Sequence, residues 1–139
     1  MIKVLVADDH AIVRKGIALI IAETTDIVVT DEAKNGQEAI EKTMINDFDM
    51  VLLDISMPGR DGFETLKELK IRHPKLTVLM LSMYPEEQYA VRALNSGAAG
   101  YLTKDSAPDE LITAIRKAAT GGKYISSSFA AGLAEKPYR

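Results

Sequence analysis

The stretch "VLVADDH", Val4 to His10, runs an unbroken apolar segment straight into two adjacent carboxylates, Asp8 and Asp9. Continuous Val and Leu is the composition of a strand covered on both faces. Two like charges at its end repel each other, and neither gains by leaving water unpaired. A bound cation would reconcile them, provided that other oxygen-bearing side chains reach the same place. Whether they do depends on the fold.

Strand-length apolar runs alternate with stretches of helical period along the whole chain. "IKVLVA" (2–7) is followed by "AIVRKGIALIIA" (11–22), which sets Val13, Ile17, Ile20 and Ile21 on one helical face. "DIVVTDEA" (26–33) reads as a strand. Asn35 and Glu38 then form a capping-box-like start for a helix carrying Ala39, Ile40 and Met44. "MVLLD" (50–54) is a short buried strand, and "FETLKELKIRH" (63–73) a helix stopped by Pro74. "LTVLMLS" (76–82) is a strand, and "EEQYAVRALNSG" (86–97) a helix closed by Gly97. "AGYLTK" (99–104) is the fifth strand. Ser106 and Asp109 bracket the start of a last helix through Leu111, Ile112 and Ile115, which ends at Gly121–Gly122. Parallel neighbours need crossover connections, so the pattern predicts an α/β fold: a doubly wound, five-stranded parallel sheet with five helices.

The 139 residues suit one domain with a proper core, and 47% hydrophobic with 27% charged residues is ordinary for a globular chain. A net charge of −3 gives this segment no electrostatic reason to bind nucleic acid. Without cysteine there is neither a disulfide nor a thiolate metal site. Lys3 and Asp8 leave no room for a signal-peptide core, and "IALIIA" is too short to span a bilayer, so a cytoplasmic location without membrane contact is expected.

Four of these strands end at their carboxyl edge in a polar group: Asp8–Asp9, Asp54, Ser82 and Lys104. Taken singly, each is ordinary. An Asp after a strand caps the next helix, Ser82 makes a turn, and Lys104 is solvated. His10 reads as a helix-start residue. Ligands of open parallel sheets bind beyond the carboxyl strand ends, however, so all four positions should converge in one crevice. Oxygen-only ligands, without His or Cys, suit a hard ion, Mg²⁺ above all, which leaves His10 outside the ligand set. A carboxylate held there can attack a phosphoryl group, with Lys104, the Ser82 hydroxyl and backbone N–H groups neutralising its oxygens.

These residues resemble the receiver domain of two-component response regulators. The resemblance rests on "VLVADDH", on "LLDISMPGRDGFE", on Ser82 and on "GYLTKDSAPDELITAIRKAATGG", and covers Ile2 to about Gly122. The last stretch and "ADDHAIVRKGI" are similar to the NarL/FixJ subfamily, whose members carry a carboxyl-terminal helix-turn-helix DNA-binding domain. The resemblance implies sheet order 2-1-3-4-5 and a phosphoryl group accepted on Asp54 from a sensor histidine kinase. It implies Mg²⁺ on Asp9 and Asp54, on Asp8 through water, and on the Ser56 backbone carbonyl. Lys104 would pair with the phosphate, while Ser82 and Tyr101 would switch with it. Ser56 and Tyr84, two positions after Asp54 and Ser82, would set the lifetime of the phosphate. The chain would act as a stoichiometric switch, not an enzyme, and would form a homodimer on phosphorylation.

Two departures from the family pattern are visible: Asp105, not proline, follows Lys104, and Ser82 stands where Thr is commoner. Residues 1–122 are expected to be the receiver. Residues 123–139, too few for a helix-turn-helix domain, would be a linker towards a DNA-binding domain absent from this chain. Rival readings are a phosphatase with an Asp nucleophile, a flavin carrier and a purely structural module. The phosphatase would place its nucleophile after the first strand, and the carrier would need a phosphate cradle that the first loop lacks.

Overall fold

The computed structural model describes residues 1–57, 59, 61–126 and 129. Five strands, β1 (Ile2–Ala7), β2 (Ile27–Ala33), β3 (Met50–Asp54), β4 (Thr77–Ser82) and β5 (Gly100–Thr103), form one parallel sheet in the order β2-β1-β3-β4-β5. Between and after them run α1 (Ala11–Ala22), α2 (Gly36–Ile45), α3 (Gly62–Arg72), α4 (Glu86–Asn95) and α5 (Ala107–Ala119). Both the doubly wound architecture and the strand order are as expected. Among the described residues no helix is long and apolar enough to cross a membrane.

Alternation along the strands builds two cores. Leu5, Val51, Leu53, Val78, Met80 and Tyr101 face α2, α3 and α4. Val4, Val6, Leu52, Leu79, Leu81 and Leu102 face α1 and α5, meeting Ile17, Ile21, Leu111 and Ile115. Successive side chains of a strand point to opposite faces, so a strand covered on both sides must be apolar throughout. That is why Val4–Ala7 and Met50–Leu53 show no polar alternation.

Two local expectations fail for physical reasons. Met44 was expected on the buried face of α2 but is 59% exposed. Thr43 takes that inward slot instead, with its hydroxyl bonded to Ile40 O at 2.8 Å. Ser106 does not cap α5 with its side chain, because its own backbone is already helical (φ −89°, ψ −14°). Its hydroxyl accepts from Thr103 Oγ1 at 2.8 Å and donates to Thr103 O at 3.0 Å, closing the β5–α5 turn. By contrast, the Asn35 cap forms as read, accepting from Glu38 N–H at 2.8 Å. Glu38 reaches back one residue further than a capping box requires, to Lys34 N–H at 3.3 Å.

The chain stays docked after α5. Gly121 adopts φ +91°, and the Gly122 N–H donates to Lys117 O at 3.1 Å, the hydrogen bond that closes a helix end through a left-handed glycine. Tyr124 then pairs alongside Gly100, donating to Ala99 O at 2.8 Å and accepting from Tyr101 N–H at 3.2 Å. The Tyr124 hydroxyl donates to Glu110, and Ser126 donates to both Glu86 carboxylate oxygens at the start of α4. Phe129 packs on the α2–α4 side. Of the linker expected over 123–139, residues 127, 128 and 130–139 lie outside the described residues.

Candidate phosphoacceptor site

β1 is flanked by β2 on one side and β3 on the other, so the chain changes winding direction there and leaves a crevice beyond the carboxyl ends of β1 and β3. The register sets Ala7 beside Leu53. Asp8, one residue beyond Ala7, thereby comes level with Asp54 at the end of β3. Asp8 N–H donates to Ala33 O at 3.0 Å, and the Arg14 guanidinium of α1 donates to Asp8 O at 2.6 Å, so the Asp8 backbone is held from two sides. At the other flank Lys104 N–H donates to Ser82 O at 2.8 Å, tying the ends of β4 and β5 together.

The expected convergence is present. Asp8, Asp9, His10 and Asp54 each bring a ligand atom within 4.8 Å of the others. Lys104 Nζ lies 2.9 Å from Asp8 Oδ2 and 3.2 Å from Asp54 Oδ2. Asp8 and Asp54 are almost wholly buried, at 0% and 1% exposure. Ser56 N–H donates to Asp54 Oδ1 at 3.2 Å, while the Ser56 side chain is exposed. Despite the nearby ammonium, Asp8 Oδ2, Asp9 Oδ1 and Asp54 Oδ2 are buried without a well-aligned hydrogen bond. Buried carboxylate oxygens in that condition are costly, and a hard dication with oxygen ligands relieves the cost. The residues therefore fit Mg²⁺.

The site perturbs its own ionisation. Burial, then the neighbouring Asp8 charge, holds the Asp54 carboxyl above the usual carboxylate range, against the pull of Lys104 and the Ser56 N–H. Burial alone would lower the Lys104 ammonium, but Asp8 and Asp54 outweigh it and hold its pKa above the ordinary lysine value.

Ser82 is buried at 1% exposure, and its Oγ accepts from Tyr84 N–H at 2.9 Å. Tyr101 is buried, and its hydroxyl donates to Tyr84 O at 2.9 Å. Both switch candidates thus hold the backbone of Tyr84 in the β4–α4 loop, Ser82 at its N–H and Tyr101 at its carbonyl. Burial pushes the Tyr101 phenol up, with the Ser82 hydroxyl partly opposing the shift. Tyr84 is half-buried, edge-on to Tyr89 at 5.3 Å. It borders a cavity of about 230 Å³ together with Ser56, Asp61, Phe63 and Arg92.

Sequence reasoning placed Asp8, Asp9, Asp54 and Lys104 together but overlooked two neighbours. Arg14 has no sequence reading of its own, and His10 reads only as a helix start. His10 does stand at the N-cap of α1, with no side-chain cap bond, but its ring turns onto the two carboxylates. The adjacency of His10 to Asp9 was the available signal.

Residues 4–116 match the response regulator receiver domain family. The chain is 38% identical over 139 residues to the response regulator GacA of Pseudomonas syringae pv. syringae, covering all of this chain and 65% of that protein. It therefore spans just under two thirds of the length of the curated relatives it matches. A two-component response regulator of the LuxR family from Aurantimonas sp. SI85-9A1 superposes with a TM-score of 0.89 at 31% identity, over 96% of this chain and 95% of that one. The isolated REC domain of RcsB from Salmonella enterica serovar Typhimurium, solved with the phosphomimetic BeF3-, gives a TM-score of 0.86 at 27% identity, over 94% and 96%. Family match, sheet order and acidic crevice agree: this chain is a response regulator receiver domain, related to regulators of the NarL/FixJ type.

Proposed function

We propose that Asp54 accepts a phosphoryl group from the phosphohistidine of a sensor histidine kinase, and that the chain is a stoichiometric switch. The observation that carries this reading is the set of buried, poorly partnered oxygens of Asp8, Asp9 and Asp54 facing the Lys104 ammonium. An Asp54 carboxylate oxygen attacks phosphorus; the new O–P bond forms as the P–N bond to the kinase imidazole breaks, and the imidazole leaves with the bonding pair. Asp9 and Asp54, the Ser56 carbonyl and, through water, Asp8 would hold Mg²⁺, which when bound neutralises charge on the phosphoryl oxygens. Lys104 gives up its pairing with Asp54 Oδ2 to follow the incoming negative charge.

The readout follows from Ser82. Its oxygen accepts from Tyr84 N–H, and its own proton, which faces the Tyr101 oxygen, would turn towards the phosphoryl group. Tyr84 also receives the Tyr101 hydroxyl, so movement of this loop is felt by Ser82 and Tyr101 together. A shift in that loop would alter the surface of α4, β5 and α5, where a homodimer forms or an attached helix-turn-helix domain responds. DNA would be met only through such a domain, and the location would be cytoplasmic. The test is phosphorylation by acetyl phosphate with Mg²⁺, followed by intact mass. The native chain should gain one phosphoryl group and Asp54→Asn none; uptake by Asp54→Asn at the native rate overturns the reading.

A further inference from the structure

We infer that His10 gives this site a preference for first-row transition ions, with Co²⁺ and Zn²⁺ favoured beyond what the carboxylates alone would hold. The inference rests on the reading of Asp8, Asp9 and Asp54 as a cation site, and adds a nitrogen donor to it. His10 Nδ1 lies 3.1 Å from Asp8 Oδ1 and 3.1 Å from Asp9 Oδ1. Neighbouring donors on an octahedron of roughly 2.1 Å bonds sit about 3 Å apart. The spacing of the ring to both carboxylates is thus that of groups able to share one ion, and Asp8, Asp9, His10 and Asp54 each bring a ligand atom within 4.8 Å of the others.

The ring is held where it can serve. His10 N–H donates to Asp8 Oδ1 at 2.8 Å, which fixes the backbone from which the imidazole turns back. The side chain is 53% exposed, so an ion and its waters reach Nδ1 without opening the core. Asp9 Oδ1, a buried carboxylate oxygen beside the ring, has no well-aligned hydrogen bond. Imidazole adds little for Mg²⁺, which keeps oxygen ligands and water, but adds substantially for Co²⁺ or Zn²⁺. A plain hydrogen bond between ring and carboxylates is the rival account of the same distances, and it predicts no selectivity between ions.

Calorimetric titration of the whole chain with Mg²⁺ and, separately, with Co²⁺ tests this, together with visible absorption of the Co²⁺ form. The comparison is native against His10→Asn, which keeps an N–H donor at similar reach but lacks the imidazole lone pair. Co²⁺ affinity should fall by at least roughly tenfold, with a changed Co²⁺ spectrum, while Mg²⁺ affinity stays within about twofold. His10→Gln repeats the comparison, so the outcome does not depend on the folding of one variant. Equal losses for both ions, or none for Co²⁺, overturn the inference and leave His10 as a brace for the carboxylates. Uptake of neither ion by the native chain would sink the cation-site reading as well, and is distinguishable from the other failures on that ground.

Discussion

Asp54 carries the largest tension between stability and use. Burial and the Asp8 charge make the folded chain hold the Asp54 proton more tightly than the unfolded chain does. Stability from this group is therefore fully present below its ordinary value of 3.8 and declines as pH rises through its higher folded value. Asp54→Asn removes that decline. At neutral pH without divalent cations the variant should be the more stable, with the difference closing near pH 4 and also narrowing on addition of Mg²⁺, which stabilises the native chain by mass action. Urea melts under the three conditions measure it; a variant no more stable than the native chain at neutral pH contradicts the account. Tyr84 makes a second prediction at this scale. Its half-buried ring borders the cavity that opens beside Ser56, so it should screen the acyl phosphate from water. Tyr84→Ala should shorten the phosphate lifetime several-fold, followed by loss of bound phosphate after kinase removal, and a lifetime unchanged or longer would count against the screen. The acidic residues were legible because charge at a strand end is conspicuous in a linear sequence. His10 and Arg14 were not, since their roles depend on where α1 begins and how its first turn faces the crevice.

Elements were legible to the extent that their signals are local. The unbroken apolar runs fixed β1 and β3 to the residue, and α1 spans the expected 11–22. Where competing hydrogen bonds decide, the sequence is ambiguous: Ser106 had the residue type of a cap but found better partners in Thr103. Tyr124 was illegible for a different reason. A single residue pairing beside β5 leaves no period to read, and the visible clue lies on the other strand. A Cβ at Gly100 would stand 2.6 Å from Tyr124 O and 2.9 Å from Leu79 Cδ2, so only glycine admits the segment. Gly100→Ala should cost about 1–3 kcal/mol and release Tyr124 from the sheet. Hydrogen exchange then has a clear signature: the Tyr101 and Tyr124 amides should exchange faster, with β1 amides protected as before. Unchanged Tyr124 protection would mean that the contact is not what Gly100 preserves.

The molecule as a whole sorts its residues by layer and by end. Two apolar cores grip the sheet between them, and three of the five buried polar side chains among the described residues, Asp8, Asp54 and Ser82, lie at the carboxyl end of the strands. A stable scaffold can therefore keep a repulsive crevice, because its carboxylates stand at the very ends of β1 and β3, after the apolar runs Val4–Ala7 and Met50–Leu53 that pack them. The segment around Tyr124 matters at this scale too. An outer strand offers unsatisfied peptide groups on which a stranger's strand can crystallise, and Tyr124 spends that valence on its own chain by capping β5. On the opposite flank, the outermost strand β2 bears Asp31 and Glu32, each held in an ion pair, with Lys42 at 3.0 Å and Arg14 at 2.7 Å. Each border of the sheet thus carries groups of its own chain that blunt it, a paired residue at one side and ion-paired side chains at the other.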